Sequence, residues 1–308
     1  MSLLPSIVSL NTFLATTFLP TLFLPLTPTL HALRVSLAYR GLRKRAAAAS
    51  PLKDEGGWLA DLVGYLVMCW GGSFLVSWLS QTTPIPLLTI WPFLTYTLVH
   101  LYVTLFLRYG PNPSPAWLDT ALPLIDGATR SAAIRGGITF AATSQSKTSG
   151  SLLCHVLAGT LGACGGGQLA GTLGVFNPIS SGPAGGWRLT TPPILTAKSL
   201  VEATDVLAAL AGAVTYSLLS GSHTAWQEGM VLGGVKLDVT GVRGGKPWTA
   251  DEAQAATTLV VGVCFAMRAV KIHHLGGRAT TVVKRGGTEN GGPATPGRKR
   301  GKKGGQEK

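Results

Sequence analysis

Two long apolar segments of this chain are each interrupted by consecutive glycines. Cys69-Trp70-Gly71-Gly72-Ser73 lies inside the run 58–79, and Ala163-Cys164-Gly165-Gly166-Gly167-Gln168 lies inside the run 152–176. A glycine in a helix interior costs roughly 1 kcal/mol against alanine, so adjacent glycines need a compensating role. In a membrane helix that role is close packing, or a bend beside a polar cavity. Glycine-interrupted segments at corresponding places in two halves of a chain point to a transport or conduction site. The pattern predicts a bent or unwound turn at both places. Gly71, Gly72, Ser73, Gly165, Gly166, Gly167 and Gln168 are then the expected pore-lining positions.

The charge content narrows the class. Only 13% of the 308 residues are charged and 46% are hydrophobic, against about 25% charged in a soluble domain. The 26 basic residues outnumber the 13 acidic ones, but unevenly. Residues 87–107 hold only His100 among groups that charge near neutral pH, whereas residues 276–308 hold nine Lys or Arg and two Glu. A nucleic-acid binder would gather its basic side chains on a folded face. Here they flank apolar runs, which implies a polytopic membrane protein with lipid, not nucleic acid, as its surroundings. The cysteines Cys69, Cys154, Cys164 and Cys264 all fall in apolar runs without CxxC spacing, so no disulfide or zinc framework is indicated. No basic residue precedes Arg34, so the start reads as retained and not as a cleaved leader.

About 20 apolar residues cross the hydrocarbon core. That rule gives seven candidate spans, the first somewhere between Ile7 and Tyr39, its limits left open by Pro20, Pro25 and Pro28, and the others at 58–79, 87–107, 117–142, 152–176, 194–219 and 253–270. The expected organisation is one all-α membrane domain over residues 1–275 and a disordered basic cytosolic tail over 276–308. Arg40, Arg43, Lys44, Arg45 and Lys53 lie between the first two spans, and no charge lies between the second and third. The positive-inside rule puts that first loop and the tail in the cytosol, with the N-terminus across the membrane.

A charged group at mid-helix costs at least ~2.5–3.5 kcal/mol on insertion scales, so each one present needs a reason. Lys198, Glu202 and Asp205 recur at i, i+4 and i+7, and Gly212 and Tyr216 continue their stripe. Asp119, Asp126 and Arg130 recur similarly, and Asp126 precedes Arg130 by four residues, the favourable order for an intrahelical pair. The stripes read as walls of an aqueous path or as an interior ion-pair network. Lys198 closely follows Pro192-Pro193, so snorkelling at the interface is the other reading of that residue. Gly159, Ala163, Gly167 and Gly171 form a small-residue face for close helix approach. His155 and Gln168 are available to freed carbonyls or water. No nucleophile elbow, phosphate loop or HExxH motif is present, and His273-His274 is too sparse for a metal, so no enzyme is indicated.

The stretch from Leu26 to Pro84 resembles the trimeric intracellular cation channels of endoplasmic and sarcoplasmic reticulum. The features that carry the likeness are Pro28-Thr29-Leu30-His31-Ala32, Ala49-Ser50-Pro51-Leu52, Cys69-Trp70-Gly71-Gly72-Ser73-Phe74-Leu75 and Thr83-Pro84-Ile85. Gly165-Gly166-Gly167 and Thr196-Ala197-Lys198-Ser199-Leu200 are similar to the family's fifth- and sixth-helix motifs. The resemblance implies seven helices, with spans one to three and four to six as inverted repeats, in a homotrimer with one pore per subunit. It implies passive, potassium-favouring conduction that supplies counter-ion flux during calcium release. The family's Lys-Glu-Val-x-Arg motif, which binds a phosphoinositide, puts its Arg on Arg130 and its Lys on Asp126. Arg130 is therefore the implied lipid contact, and Asp126 is an acid where the family has a base. An Asp126–Arg130 pair would replace the lipid as local counter-charge. Two other readings stay open. One is a proton-coupled carrier using Glu202, Asp205 and Arg130, and the other a non-conducting scaffold with a lipid-binding tail at Arg298-Lys299-Arg300-Gly301-Lys302-Lys303.

Overall fold

The structure, a computed structural model, describes residues 3–20, 23–111, 113–144, 147–180, 186–227, 230–232, 235–237 and 248–275. The expected tail, 276–308, lies outside the described residues. The chain opens with α1 (Leu3–Thr16) and a small hairpin, β1 (Phe18–Leu19) paired antiparallel with β2 (Leu24–Pro25). There follow α2 (Leu26–Ala49), α3 (Trp58–Ser80), α4 (Trp91–Tyr109), α5 (Pro115–Ala121), α6 (Pro123–Thr143) and α7 (Leu152–Thr172). The short α8 (Pro193–Thr196) leads into α9 (Leu200–Ser220) and α10 (Thr224–Gln227). A second antiparallel pair, β3 (Met230–Leu232) and β4 (Val235–Leu237), precedes α11 (Ala250–Ala269). A π-type turn over Val270–Leu275 ends the described chain.

Local chemistry sets these limits. Ser151, Ser199 and Thr249 each accept a backbone N–H three residues on, opening α7, α9 and α11, and Glu252 returns the bond at Thr249 to complete a capping box. Helix α9 closes on Gly221 in the left-handed region, at φ 59°. The residue before a proline is biased away from helix, and Leu122 before Pro123 separates α5 from α6.

Several expected spans are redrawn. The stretch between Ile7 and Tyr39 holds parts of two helices, α1 and α2, parted by a hairpin in which Pro20 follows β1 and Pro25 ends β2. Arg40, Arg43, Lys44 and Arg45, expected in a loop, belong to α2. The good helix formers Ala46–Ala49 carry the helix on until the Ser50-Pro51 break. The segment 117–142 is broken at Pro123, and the sixth span begins at Leu200 rather than at residue 194. Four described helical stretches are long and apolar enough to cross a membrane: Trp58–Ser80, Leu152–Thr172, Leu200–Ser220 and Ala250–Leu275. In α3 the exposed Trp58 and Trp78 are 20 residues apart, about 30 Å at the helical rise and equal to the hydrocarbon thickness. Exposed Trp91 and Tyr109 bracket α4 in the same way.

Helix α7 packs between α3 and α6, α11 lies against α6 and α9, α1 covers α11, and α2 joins α3 to α4. The main core is Ile134, Ile138, Ala213, Tyr216, Val261 and Phe265. A second cluster gathers Tyr39, Tyr65, Ala170 and Val175 beneath Trp187 and Phe176.

The expected unwound turn at the glycines is corrected: α3 is helical through Gly71, Gly72 and Ser73, and α7 through Gly165, Gly166, Gly167 and Gln168. Gly71, Gly72, Gly165 and Gly166 serve close approach. A Cβ on Gly72 would stand 2.5 Å from the Leu161 carbonyl oxygen, and one on Gly165 would stand 3.1 Å from the Gly72 Cα. Gly166 lies as tightly against the Met68 carbonyl. As residue numbers rise in α3 they fall in α7, from Met68–Gly166 to Val76–Ala158, so the two helices are antiparallel. The cost of the glycines is offset by backbone-to-backbone contact that a side chain would forbid.

Candidate functional site

Arg130, on the second turn of α6, stands where four helices meet. Its Nη2 pairs with Asp205 Oδ1 of α9 at 2.6 Å, and its Nη1 donates to the Ala163 carbonyl of α7 at 2.8 Å. Its Cζ lies 4.7 Å from the centre of the Phe265 ring of α11, a cation–π contact. Arg130 is seven residues into α6 and Asp205 five into α9, about 10 and 8 Å along the helices. Both side chains are 26% accessible, so the pair is largely but not fully enclosed by the bundle. Gly167, one turn past Ala163 on α7, faces the same carboxylate: its Cβ would sit 3.9 Å from Asp205 Oδ2.

The expected Asp126–Arg130 pair is corrected. Asp126 faces α2, where both its oxygens accept from Arg34 Nε at 3.1 Å, and Arg34 Nη2 also reaches Asp119 of α5 at 2.6 Å. Asp119 in turn meets His273 at 2.9 Å. Asp119 therefore tethers α5 to α2 and the end of α11, outside the helix that holds Asp126 and Arg130. The Lys198–Glu202–Asp205 stripe is corrected as well. Lys198 and Ser199 precede α9, and the Lys198 N–H donates to Glu202 Oε2 at 2.8 Å while Glu202 N–H donates to Ser199 Oγ at 3.3 Å. Lys198 and Glu202 are exposed parts of a helix cap, and only Asp205 reaches the interior. Gln168 accepts from the Ile194 N–H at 3.0 Å, tying α7 to α8. His155 meets the Ser149 carbonyl at 3.1 Å.

A third polar cluster was not anticipated. Asp61, in the first turn of α3, accepts from Arg40 at 2.6 Å and Arg43 at 2.5 Å, and meets His100 Nε2 at 3.1 Å. His100 Nδ1 bonds Ser36 Oγ at 2.8 Å, and the imidazole stacks on Tyr65 at 4.0 Å. Ser, His and Asp in line have the composition of a nucleophilic triad. Ser36, however, has no accessible surface, so no substrate reaches its oxygen and the bonds serve to lock α2, α3 and α4. Polar residues at three-to-four spacing along α2, Ser36, Arg40 and Arg43, were the available signal. Near the same end, Asp54 accepts from Arg43 and from the amides of Gly56 and Ile179, at 3.0 and 3.1 Å for the amides. Partial burial opposes ionisation of Asp54, but the two amides and the guanidinium outweigh it and hold its carboxyl below the usual carboxylate range. The cysteines are free thiols.

A bundle of membrane-length apolar helices with paired charges along its inside defines an all-α polytopic membrane protein. No protein-family model matches the chain, and no curated protein sequence matches it. Among solved structures it is similar to a trimeric intracellular cation channel from C. elegans, determined in the absence of Ca2+. The identity is 14%, with 87% of this chain and 96% of that chain covered, and the TM-score is 0.46.

Proposed function

We propose that the protein is a passive channel for monovalent cations, potassium favoured, in an intracellular membrane. The observation that carries this reading is the Arg130–Asp205 pair, a partly accessible ion pair at the junction of α6, α7, α9 and α11. Charges kept accessible inside a membrane bundle mark an ion or substrate path. The antiparallel α3–α7 crossing supports two inverted three-helix repeats, α2–α4 and α6, α7 and α9, with α11 as the additional helix. The sequence resemblance supports a homotrimer with a pore in each subunit and a counter-ion role during calcium release in the endoplasmic reticulum. Arg40, Arg43, Lys44, Arg45 and Lys53 gather at the α2–α3 end, which supports a cytosolic face there. Asp205, not a phosphoinositide, is the counter-charge of Arg130, because it already occupies one of the donor groups a lipid phosphate would use.

The carrier reading loses a member of its relay, since Glu202 caps α9 and does not face the pair. Recording from the purified protein in planar bilayers under asymmetric potassium chloride tests the proposal. Discrete unitary currents reversing near the potassium potential are expected. Silent bilayers with the protein demonstrably inserted would refute a channel, and proton-driven uptake into vesicles would then establish the carrier.

A further inference from the structure

We infer that Asp205 is the residue that makes this pathway select cations over anions, its Oδ2 being the contact for the passing ion. The inference rests on the channel reading. Without Asp205, Arg130 would leave an uncompensated positive charge where four helices meet and would repel cations in a medium of low dielectric. The pair is asymmetric. Arg130 is pinned on three sides, by Asp205 Oδ1 at 2.6 Å, the Ala163 carbonyl at 2.8 Å and the Phe265 ring at 4.7 Å. That geometry holds the guanidinium to one carboxylate oxygen and leaves the other turned toward α7. There the residue is Gly167, and even a Cβ at that position would remain 3.9 Å from Oδ2. With no side chain at Gly167, nothing from that position covers the second oxygen.

The chemistry of this oxygen suits a weakly hydrated monovalent ion. Calcium demands six to eight oxygen ligands, commonly including several carboxylates. Among the described residues no group of three or more His, Cys, Asp or Glu is placed to hold a metal ion. One free carboxylate oxygen can attract an alkali cation and still release it, as conduction requires. Glu202 lies nearly one turn earlier on α9 but is committed to the Lys198 amide and does not substitute.

The test is reversal-potential measurement on full-length variants in planar bilayers with asymmetric potassium chloride, after melting and gel filtration confirm each fold. Asp205→Asn is expected to lower the potassium-to-chloride permeability ratio by about tenfold or more, and Asp205→Glu to retain most of it. The double variant Arg130→Gln/Asp205→Asn removes both charges and should recover part of the loss. Arg130→Gln alone leaves both carboxylate oxygens free and should raise the ratio, which keeps the inference testable if Asp205→Asn does not fold. An unchanged ratio in Asp205→Asn, or in Arg130→Gln, overturns the role of Asp205 while the channel reading stands. Absence of current from the unsubstituted protein overturns the channel reading itself.

Discussion

Substituting Gly72 by alanine separates two physical accounts of the paired glycines. In an isolated helix the change is favourable by about 1 kcal/mol, because glycine gives up more backbone freedom on folding. At the α3–α7 crossing the new Cβ would stand 2.5 Å from the Leu161 carbonyl oxygen and 3.0 Å from that of Gly162. Carbon–oxygen contacts rest near 3.3–3.6 Å, so the helices would have to part by about 0.8 Å or more. The obstacle is backbone on an unbroken helix, which has no rotamer in which to escape. A radial gap of that size forfeits a quarter to a half of each dispersion contact along the seam. Overpacking of this kind costs about 1–3 kcal/mol, and subtracting the propensity gain leaves a net loss of up to about 2 kcal/mol. Gly136, on α6, is the internal control, since a Cβ there meets nothing within 4 Å. Gly136→Ala should therefore be neutral or stabilising by up to about 1 kcal/mol. Thermal unfolding of both variants in detergent reads the difference directly. If Gly72→Ala proves as stable as Gly136→Ala, the glycines are not there for close packing, and a bend at residues 71–73 returns as the explanation.

Asp126→Asn should cost about 1–3 kcal/mol, since Arg34 loses a charged partner in a partly buried site; chemical denaturation in micelles measures it. Because the folded pKa of Asp54 is depressed, its contribution is present above the unfolded value near 3.8 and lost as pH falls through the folded one. The Gly56 and Ile179 amides should then lose hydrogen-exchange protection on acidification below that range, and Asp54→Asn should remove the transition. Thr249→Ala dismantles the capping box of α11 and should destabilise by about 1 kcal/mol in the same denaturation assay. Arg130→Ala should cost more than Arg135→Ala, because the Arg135–Asp251 pair is the more exposed of the two; parallel melts decide.

The apolar runs at 58–79 and 152–176 were legible because length and hydropathy act along the chain, and the helices found there begin at the expected residues. Helix ends near proline were less so. Pro20 and Pro25 signalled trouble in the first run without saying that it contains two helices, since a hairpin depends on β1 meeting β2. The glycines show the limit differently. A run of Gly165, Gly166 and Gly167 looks the same in sequence whether the backbone bends or another helix approaches. Only the opposed Gly71 and Gly72 of α3 reveal the approach, and nothing in either segment encodes the crossing.

The charged residues follow one rule that spacing within a single helix cannot supply. An exposed i, i+4 pair is worth only about 0.3–0.5 kcal/mol, so Asp126 and Arg130 have little to hold them together. Once α2 and α9 pack against α6, each finds a partner across an interface, where water is scarcer and attraction stronger. Asp126 goes to Arg34 and Arg130 goes to Asp205, and each exchange ties α6 to a different neighbour. The same logic takes Asp61 away from its own helix to Arg40 and Arg43 of α2. Each acid thus fixes a helix pair instead of a helix face. Among these partners, Asp205 stands out as the acid whose second oxygen faces a glycine of α7, and that is what sets it apart as the ion contact.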